Sequence, residues 1–111
     1  MKPHIGINDK NLKNSIELLS VTLADAMTLY TKTRKFHWNV TGESFMEMHK
    51  LFENQYKQLE VSIDEIAERI SKLGGKTIGT MAEFTKMARL KESPDSVTES
   101  NSMLFFKFLS F

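Results

Sequence analysis

The chain has 111 residues, with 15 lysines and arginines against 14 aspartates and glutamates, and it contains no cysteine. This length predicts one small domain, and the balanced charge argues against a strong general attraction to nucleic acid or membranes. Without cysteine, disulfides, thiol catalysis and thiolate metal sites are excluded. The sequence shows neither a signal-peptide core nor the roughly 20 apolar residues of a membrane-spanning helix, which predicts a soluble, cytoplasmic protein with no membrane partner.

The first predicted element is a long helix from about Asn11 to Asn39, because apolar residues recur there at steps of three and four. The stripe consists of Ile16, Leu19, Leu23, Ala26 and Tyr30. The same steps lead on to His37, which is therefore predicted to lie on the inward face near the end of the helix. Gly42 follows in a turn and suits a backbone position with positive φ.

A second long helix is predicted to start with the capping box Ser44-x-x-Glu47 and to stop at the glycine pair 74–75. Its apolar stripe consists of Phe45, Met48, Phe52, Gln55, Leu59, Ser62 or Ile63, Ile66, Ile70 and Leu73. Because only a short loop separates the two long helices, they are expected to form an antiparallel hairpin.

A short third helix is predicted from Thr80 to about Leu90, again with a capping box, Thr80-x-x-Glu83. One more capping box, Ser96-x-x-Glu99, predicts the start of a fourth helix. The chain then ends in the apolar stretch MLFFKFLSF, which has four phenylalanines in its last seven residues.

Two groups of potential metal ligands are present. His37, His49 and Glu53 form one group, and Asp64 and Glu68, four residues apart on one helical face, form the other. Histidine and carboxylate ligands suit iron, manganese or zinc. His49 and Asp64 are separated by roughly 22 Å along a helix, at 1.5 Å per residue. One chain cannot join the two groups, but an antiparallel second copy related by a two-fold axis near residues 57–59 can.

Each of these features also has a structural interpretation. A single inward histidine is more often a hydrogen-bonded core residue than a ligand. The segment IDEIAERI is typical of a solvated helix face with glutamate–arginine pairs, and Trp38 alone is typical of a packing anchor. The combination favours a metal site, because one two-fold operation joins every member, but the residues alone leave both interpretations open.

Residues 31–75 resemble the core signature of the Dps family, the ferritin-like miniferritins named as DNA-binding proteins from starved cells. The block Phe-His-Trp-Asn-Val-x-Gly, a histidine twelve residues later, and Asp-Glu-Ile-Ala-Glu-Arg coincide with it in order and spacing. The resemblance implies an all-α, ferritin-like antiparallel four-helix bundle as a single domain over residues 1–111, assembled into a hollow dodecamer. It further implies oxidation of Fe²⁺ to Fe³⁺, usually by hydrogen peroxide rather than dioxygen, with storage of the ferric mineral and protection from oxidative stress.

The resemblance also assigns residue roles. It implies that His37 and His49 come from one subunit, and Asp64 and Glu68 from its partner, as the iron ligands of the ferroxidase site. Glu53 matches an acidic position that helps hold a second, weaker iron. Trp38 matches the aromatic residue beside the site.

The sequence departs from the family at its C-terminal end, because family members are usually longer. The first two helices and the short connecting helix are expected here, whereas the third and fourth are expected to be largely missing. A truncation or frame change is favoured over a naturally shorter variant. The alternatives to a ferroxidase are therefore a non-catalytic remnant or a helical oligomerisation module, and the dodecamer is doubtful. Binding to DNA has weak support, since the N-terminal lysines at positions 2, 10 and 13 lie close to Asp9 and Glu17.

Overall fold

The computed structural model describes residues 6–42 and 45–92, and within these ranges it consists of three α-helices without a β-strand. Helix α1 spans Asp9–Asn39, α2 spans Phe45–Lys72 and α3 spans Met81–Met87. The predicted all-α fold class is therefore confirmed. No helix in the described part of the chain is both long and apolar enough to cross a membrane.

The ends of the first two helices follow local capping rules. Asn8 caps α1, since its side chain accepts a hydrogen bond of 2.9 Å from the backbone N–H of Asn11. Gly42 has a φ of +100°, as predicted for the turn after α1. The predicted capping box at Ser44 lies outside the described residues.

The glycine pair after α2 closes that helix with two distinct functions. Gly74 has a φ of +87°, and its N–H donates to Ser71, while the N–H of Gly75 donates to Ile70, as in a Schellman motif. A Cβ on Gly75 would lie 2.9 Å from a methyl carbon of Ile16. The first glycine is thus needed for its backbone conformation, and the second for the close approach of α1.

Helix α3 begins as predicted, with a reciprocal capping box between Thr80 and Glu83. It ends at Met87, three residues before the predicted end at Leu90. The reason is Asp25 on α1, whose Oδ1 accepts the backbone N–H groups of Arg89 and Leu90 at 2.6 and 3.1 Å. In a longer helix these N–H groups would bond to carbonyls four residues earlier.

Contacts between α1 and α2 run in opposite directions along the two helices, so the antiparallel hairpin is confirmed. His37 contacts His49 near the connecting loop, and Ile16 meets Gly75 at the far end. Two buried clusters hold the hairpin together. One consists of Phe36, Val40 and Phe52, and the other of Leu23, Ala24, Ile70 and Phe84. Phe84 thereby fastens α3 to both long helices.

An open groove runs between α1 and α2. Its lining includes Leu29, Leu59 and Gln55, and the Oε1 atom of Gln55 is buried without a hydrogen-bond partner among the described residues. A ferritin-like bundle covers such a groove with further helices. The helix predicted from Ser96 and the phenylalanine-rich stretch lie outside the described residues.

Asp25 is expected to be a major stabilising residue. Its Oδ2 accepts a hydrogen bond of 2.8 Å from Nε of Arg89 and forms an ion pair with Nη2 at 2.8 Å, and its side chain is 13% exposed. We expect Asp25→Asn to lower the free energy of unfolding by about 1.5–3 kcal/mol, since hydrogen bonds to a charged group are lost. Chemical denaturation at neutral pH measures this loss, with Glu17→Gln on the exposed face of α1 as the control.

The same substitution is expected to alter the dependence of stability on pH. Burial raises the pKa of Asp25, but the hydrogen bonds from Leu90 and Arg89 outweigh it and hold the pKa below its usual range. A lowered carboxyl pKa stabilises the fold above the unfolded-state value of about 3.9, and this stabilisation is lost as the pH falls through the folded-state pKa. Asp25→Asn should remove this pH-dependent part of the stability. An unchanged acid-induced loss of stability would contradict it.

Candidate metal centre

His37 and His49 face each other across the hairpin in a reciprocal arrangement. His37 Nδ1 lies 2.7 Å from the carbonyl oxygen of His49, and His49 Nδ1 lies 2.7 Å from the carbonyl oxygen of His37. The two rings are stacked, with centroids 3.7 Å apart and planes 20° from parallel. His37 is only 8% exposed, so its predicted inward position is confirmed.

This arrangement fixes which ring nitrogen carries the proton. A carbonyl oxygen only accepts hydrogen bonds, so both Nδ1 atoms must be the donors. In a neutral imidazole the other nitrogen, Nε2, then has a free lone pair. Metal-binding histidines are commonly oriented in this way, with one ring N–H donating to a backbone carbonyl. When both rings are neutral, the pair therefore presents two Nε2 lone pairs suited to binding a metal ion.

The positions of the two histidines in their helices explain the reciprocal bonds. His37 lies in the last turn of α1, where carbonyl groups lack a partner within the helix. His49 Nδ1 supplies that missing donor. His49 lies in the second turn of α2, and its carbonyl oxygen has a second lone pair for His37. Two further aromatic rings pack against the pair. The ring centroid of Phe45 lies 5.1 Å from that of His49, and the ring centroid of Tyr56 lies 5.3 Å from that of His37.

Glu53 is a half-buried carboxylate on the turn of α2 that follows His49. Its Oε1 lies 3.3 Å from Lys57 Nζ. The hydrogen bond from Lys57 and the charge of that residue lower the pKa of Glu53, and His37 adds a smaller effect in the same direction. Glu53 is therefore ionised at neutral pH.

Asp64 and Glu68 are exposed on α2 and lie away from the histidine pair. Along the helix axis Asp64 is roughly 22 Å from His49 at 1.5 Å per residue. Within residues 6–42 and 45–92 of a single chain, no group of three or more histidine, aspartate or glutamate side chains is arranged to hold a metal ion. The structure thus keeps the predicted ligands in two separate groups.

Trp38 adjoins the histidine pair in sequence but points outward, with 65% of its surface exposed. Its ring faces the Arg34 guanidinium, whose Cζ lies 5.2 Å from the ring centroid. The sequence pattern indicated Trp38 as a neighbour of the site and Tyr30 only as part of the apolar stripe of α1. It did not indicate Arg34, Tyr56 or Glu60. The spacing of four between Tyr30, Arg34 and Trp38 was the available signal, because such residues share one helical face.

The comparisons with known proteins agree with this architecture. The family model for the ferritin-like domain matches residues 16–105. A low temperature-induced protein of Nostoc sp. (strain PCC 7120) is 42% identical over 101 residues, which cover 91% of this chain and 56% of that protein. The DNA protection during starvation protein 2 of Bacillus anthracis is 42% identical over 81 residues, covering 73% of this chain and 56% of that protein.

A solved structure extends the comparison to three dimensions. The Dps protein from Vibrio cholerae O1, described as a member of a broad superfamily of ferritin-like diiron-carboxylate proteins, superposes with a TM-score of 0.84 and 34% identity. The alignment covers 92% of this chain and 64% of that one. The hairpin with its short connecting helix is therefore a ferritin-like domain. More specifically, the chain belongs to the Dps family. It spans a little over half the length of the relatives described above.

Proposed function

We propose that this chain binds Fe²⁺ and oxidises it to Fe³⁺ at sites shared between two copies of the chain. The observation that carries the proposal is the histidine pair, whose Nδ1 bonds leave both Nε2 atoms for a ligand, with the ionised Glu53 on the next turn of α2. Imidazole nitrogens and carboxylate oxygens together suit iron. The description of the Vibrio protein as a member of a diiron-carboxylate superfamily supports the same chemistry.

The proposed ligand set is divided between the two chains. His37, His49 and Glu53 come from one copy, and Asp64 and Glu68 come from the other. Both carboxylates are exposed on α2 and are therefore accessible to a second copy. A two-fold axis across α2 near residues 57–59 brings the groups together and generates two equivalent sites. A homodimer is the smallest active unit, and a larger cage is the family form.

Iron and hydrogen peroxide are the substrates in this proposal. Two Fe²⁺ ions give up one electron each, and the peroxide takes both electrons to form two hydroxide ions, so no hydroxyl radical is released. The protein contributes fixed ligands: the imidazoles are held by backbone carbonyls, and the carboxylates offset the positive charge of the ions. The physiological role that follows is iron sequestration with protection against oxidative stress.

An anaerobic Fe²⁺ titration followed by peroxide tests this function. We expect oxidation of two irons per site in the unmodified chain. His37→Ala and Asp64→Asn should each slow oxidation by more than about 100-fold, because loss of residues that only support a ligand already costs 10–100-fold. Glu65→Gln, an exposed neighbour of Asp64 on α2, is the control and should behave as the unmodified chain. Normal oxidation in both ligand variants would refute the assignment.

A non-catalytic helical oligomerisation module is the second candidate. A second open depression favours it, because this one is lined by Leu18, which is 67% exposed, and by Ile66 and Leu73. Apolar surface of this kind promotes association. A defined native mass in solution without peroxide-dependent iron oxidation would support this candidate over the ferroxidase.

A further inference from the structure

A second group of side chains adjoins the histidine pair, and we refer to it as the Arg34 cluster. It consists of Tyr30, Arg34, Trp38, Tyr56 and Glu60. Arg34 lies at its centre, with Cζ 4.2 Å from the ring centroid of Tyr56, 5.2 Å from that of Trp38 and 5.6 Å from that of Tyr30. A guanidinium within about 6 Å of a ring centroid is attracted to the ring face. One cation thus contacts three aromatic rings drawn from both long helices.

The guanidinium is held in place from both helices. Arg34 Nη1 donates to the Tyr30 hydroxyl on α1 at 2.9 Å and lies 3.5 Å from Glu60 Oε1 on α2. The Tyr30 hydroxyl in turn donates to the same Glu60 oxygen at 2.8 Å. These three polar contacts form a closed triangle, so the position of the guanidinium over Tyr56 is determined by its partners on both sides.

Tyr56 connects this cluster to the candidate metal centre. The ring of Tyr56 meets that of His37 edge to face, with centroids 5.3 Å apart and planes at 73°. The same Tyr56 ring also contacts the Arg34 guanidinium, so Tyr56 contacts both Arg34 and the imidazole of His37. The order of contacts is therefore Glu60 and Tyr30, then Arg34, then Tyr56, then His37.

We propose that Arg34 is a positioning residue for the metal centre, acting through Tyr56 to hold the His37 ring with Nδ1 on the carbonyl of His49. The proposal rests on the ferroxidase function above in one respect only: the expected effect of Arg34 on metal affinity. Its structural content is that the orientation of His37 depends on a residue that does not touch the metal. Rotation of the His37 ring would break the bond to the His49 carbonyl and leave Nε2 free to take the proton.

The role requires the shape of the guanidinium as well as its charge. Its planar fork lies against aromatic rings while its N–H groups bond to Tyr30 and Glu60. A lysine ammonium is a compact, strongly hydrated charge on a flexible stem and does not reproduce both contacts. Arg34→Lys therefore keeps the charge and removes the positioning contact, which separates the two effects.

The first test measures the protonation of the histidine rings in the metal-free chain. Nitrogen-15 NMR at about pH 8, where histidine is neutral, reports which ring nitrogen carries the proton. We expect a single Nδ1–H tautomer at residues 37 and 49 in the unmodified chain and a mixture at residue 37 in Arg34→Lys. Arg89→Lys is the matched control, because it also removes an arginine from an ion pair, with Asp25, away from the metal centre.

The second test measures zinc affinity, because Zn²⁺ binds imidazole and carboxylate without redox chemistry. We expect Arg34→Lys and Tyr56→Leu to weaken zinc binding about 10–100-fold, the usual cost of losing a residue that orients a ligand. Tyr56→Phe keeps the ring and should bind as the unmodified chain does, as should Arg89→Lys. If Arg34 only stabilised the fold, the zinc affinity of each variant would follow its stability. Arg89→Lys would then weaken zinc binding as much as Arg34→Lys does.

The outcomes separate the two proposals. If the unmodified chain binds no zinc, the proposed function fails, while the tautomer measurement still decides the role of Arg34. If Arg34→Lys retains the single tautomer at residue 37, the positioning role is refuted even where zinc binds. If Arg34→Lys does not fold, the pair Tyr56→Phe and Tyr56→Leu supplies the decision, and equal zinc affinity for that pair overturns the proposal.

Discussion

Mixing two inactive variants is expected to restore iron oxidation. One variant lacks the histidines, as His37→Ala with His49→Ala, and the other lacks the carboxylates, as Asp64→Asn with Glu68→Gln. A two-fold dimer of one copy of each contains one intact site and one site that keeps only Glu53. After random exchange half of the dimers are mixed, so about one quarter of all sites should be active. Each variant alone should remain more than about 100-fold slower than the unmodified chain.

The physical basis of this expectation is the separation of the ligands within one chain. No side-chain movement spans roughly 22 Å along a continuous helix, and α2 is continuous from Phe45 to Lys72. Peroxide-dependent formation of the ferric product measures recovery, and mass measurement of tagged subunits verifies that mixed dimers form. Two preparations of the histidine variant, mixed in the same way, should recover nothing. Mixed dimers without activity would refute a site shared between chains.

Phe36→Ala is expected to have the largest effect on stability. Phe36 is 0% exposed and meets Phe52 edge to face, with ring centroids 5.7 Å apart. Replacing a buried phenylalanine by alanine typically costs about 3–5 kcal/mol, through lost burial and the cavity left behind. Small domains have only about 5–15 kcal/mol of stability in total, so a large part of it should be lost. Chemical denaturation followed by circular dichroism measures the change.

The expected loss of stability also affects the candidate metal centre. Phe36 directly precedes His37, and its cluster packs the end of α1 against the start of α2. Trp38→Ala is the matched control: it removes a large aromatic side chain two residues away, but one that is 65% exposed. It makes a cation–π contact with Arg34, and such exposed contacts are worth about 0.5–1 kcal/mol. Similar losses for the two variants would show that the Phe36 cluster does not hold the hairpin closed.

The geometry of the histidines brings together two interpretations that the sequence left as alternatives. An inward histidine is usually a hydrogen-bonded core residue, and both histidines are hydrogen-bonded here. The bonds use only Nδ1, however, so each ring keeps Nε2 for a ligand role. The structural and functional interpretations are therefore compatible, because bonding through Nδ1 to a backbone carbonyl is common among metal-binding histidines.

The sequence by itself determined the features that depend on neighbours along the chain. The spacing of Ile16, Leu19 and Leu23 marked α1, and Gly74 marked the end of α2, because helix periodicity and capping are set within a few residues. The motifs around His37 and Asp64 likewise identified the Dps family. Their assignment as iron ligands remains a prediction.

Only the tertiary structure decided the features that depend on how the helices pack. The early end of α3 follows from Asp25, 64 residues before Arg89 in the chain. The reciprocal bonds of the histidines and the contact of Arg34 with Tyr56 depend on the rotation and offset of α1 against α2. Sequence periodicity gives the face of a helix but not its register against a partner, which the packing of Phe36 on Phe52 sets at this end of the hairpin.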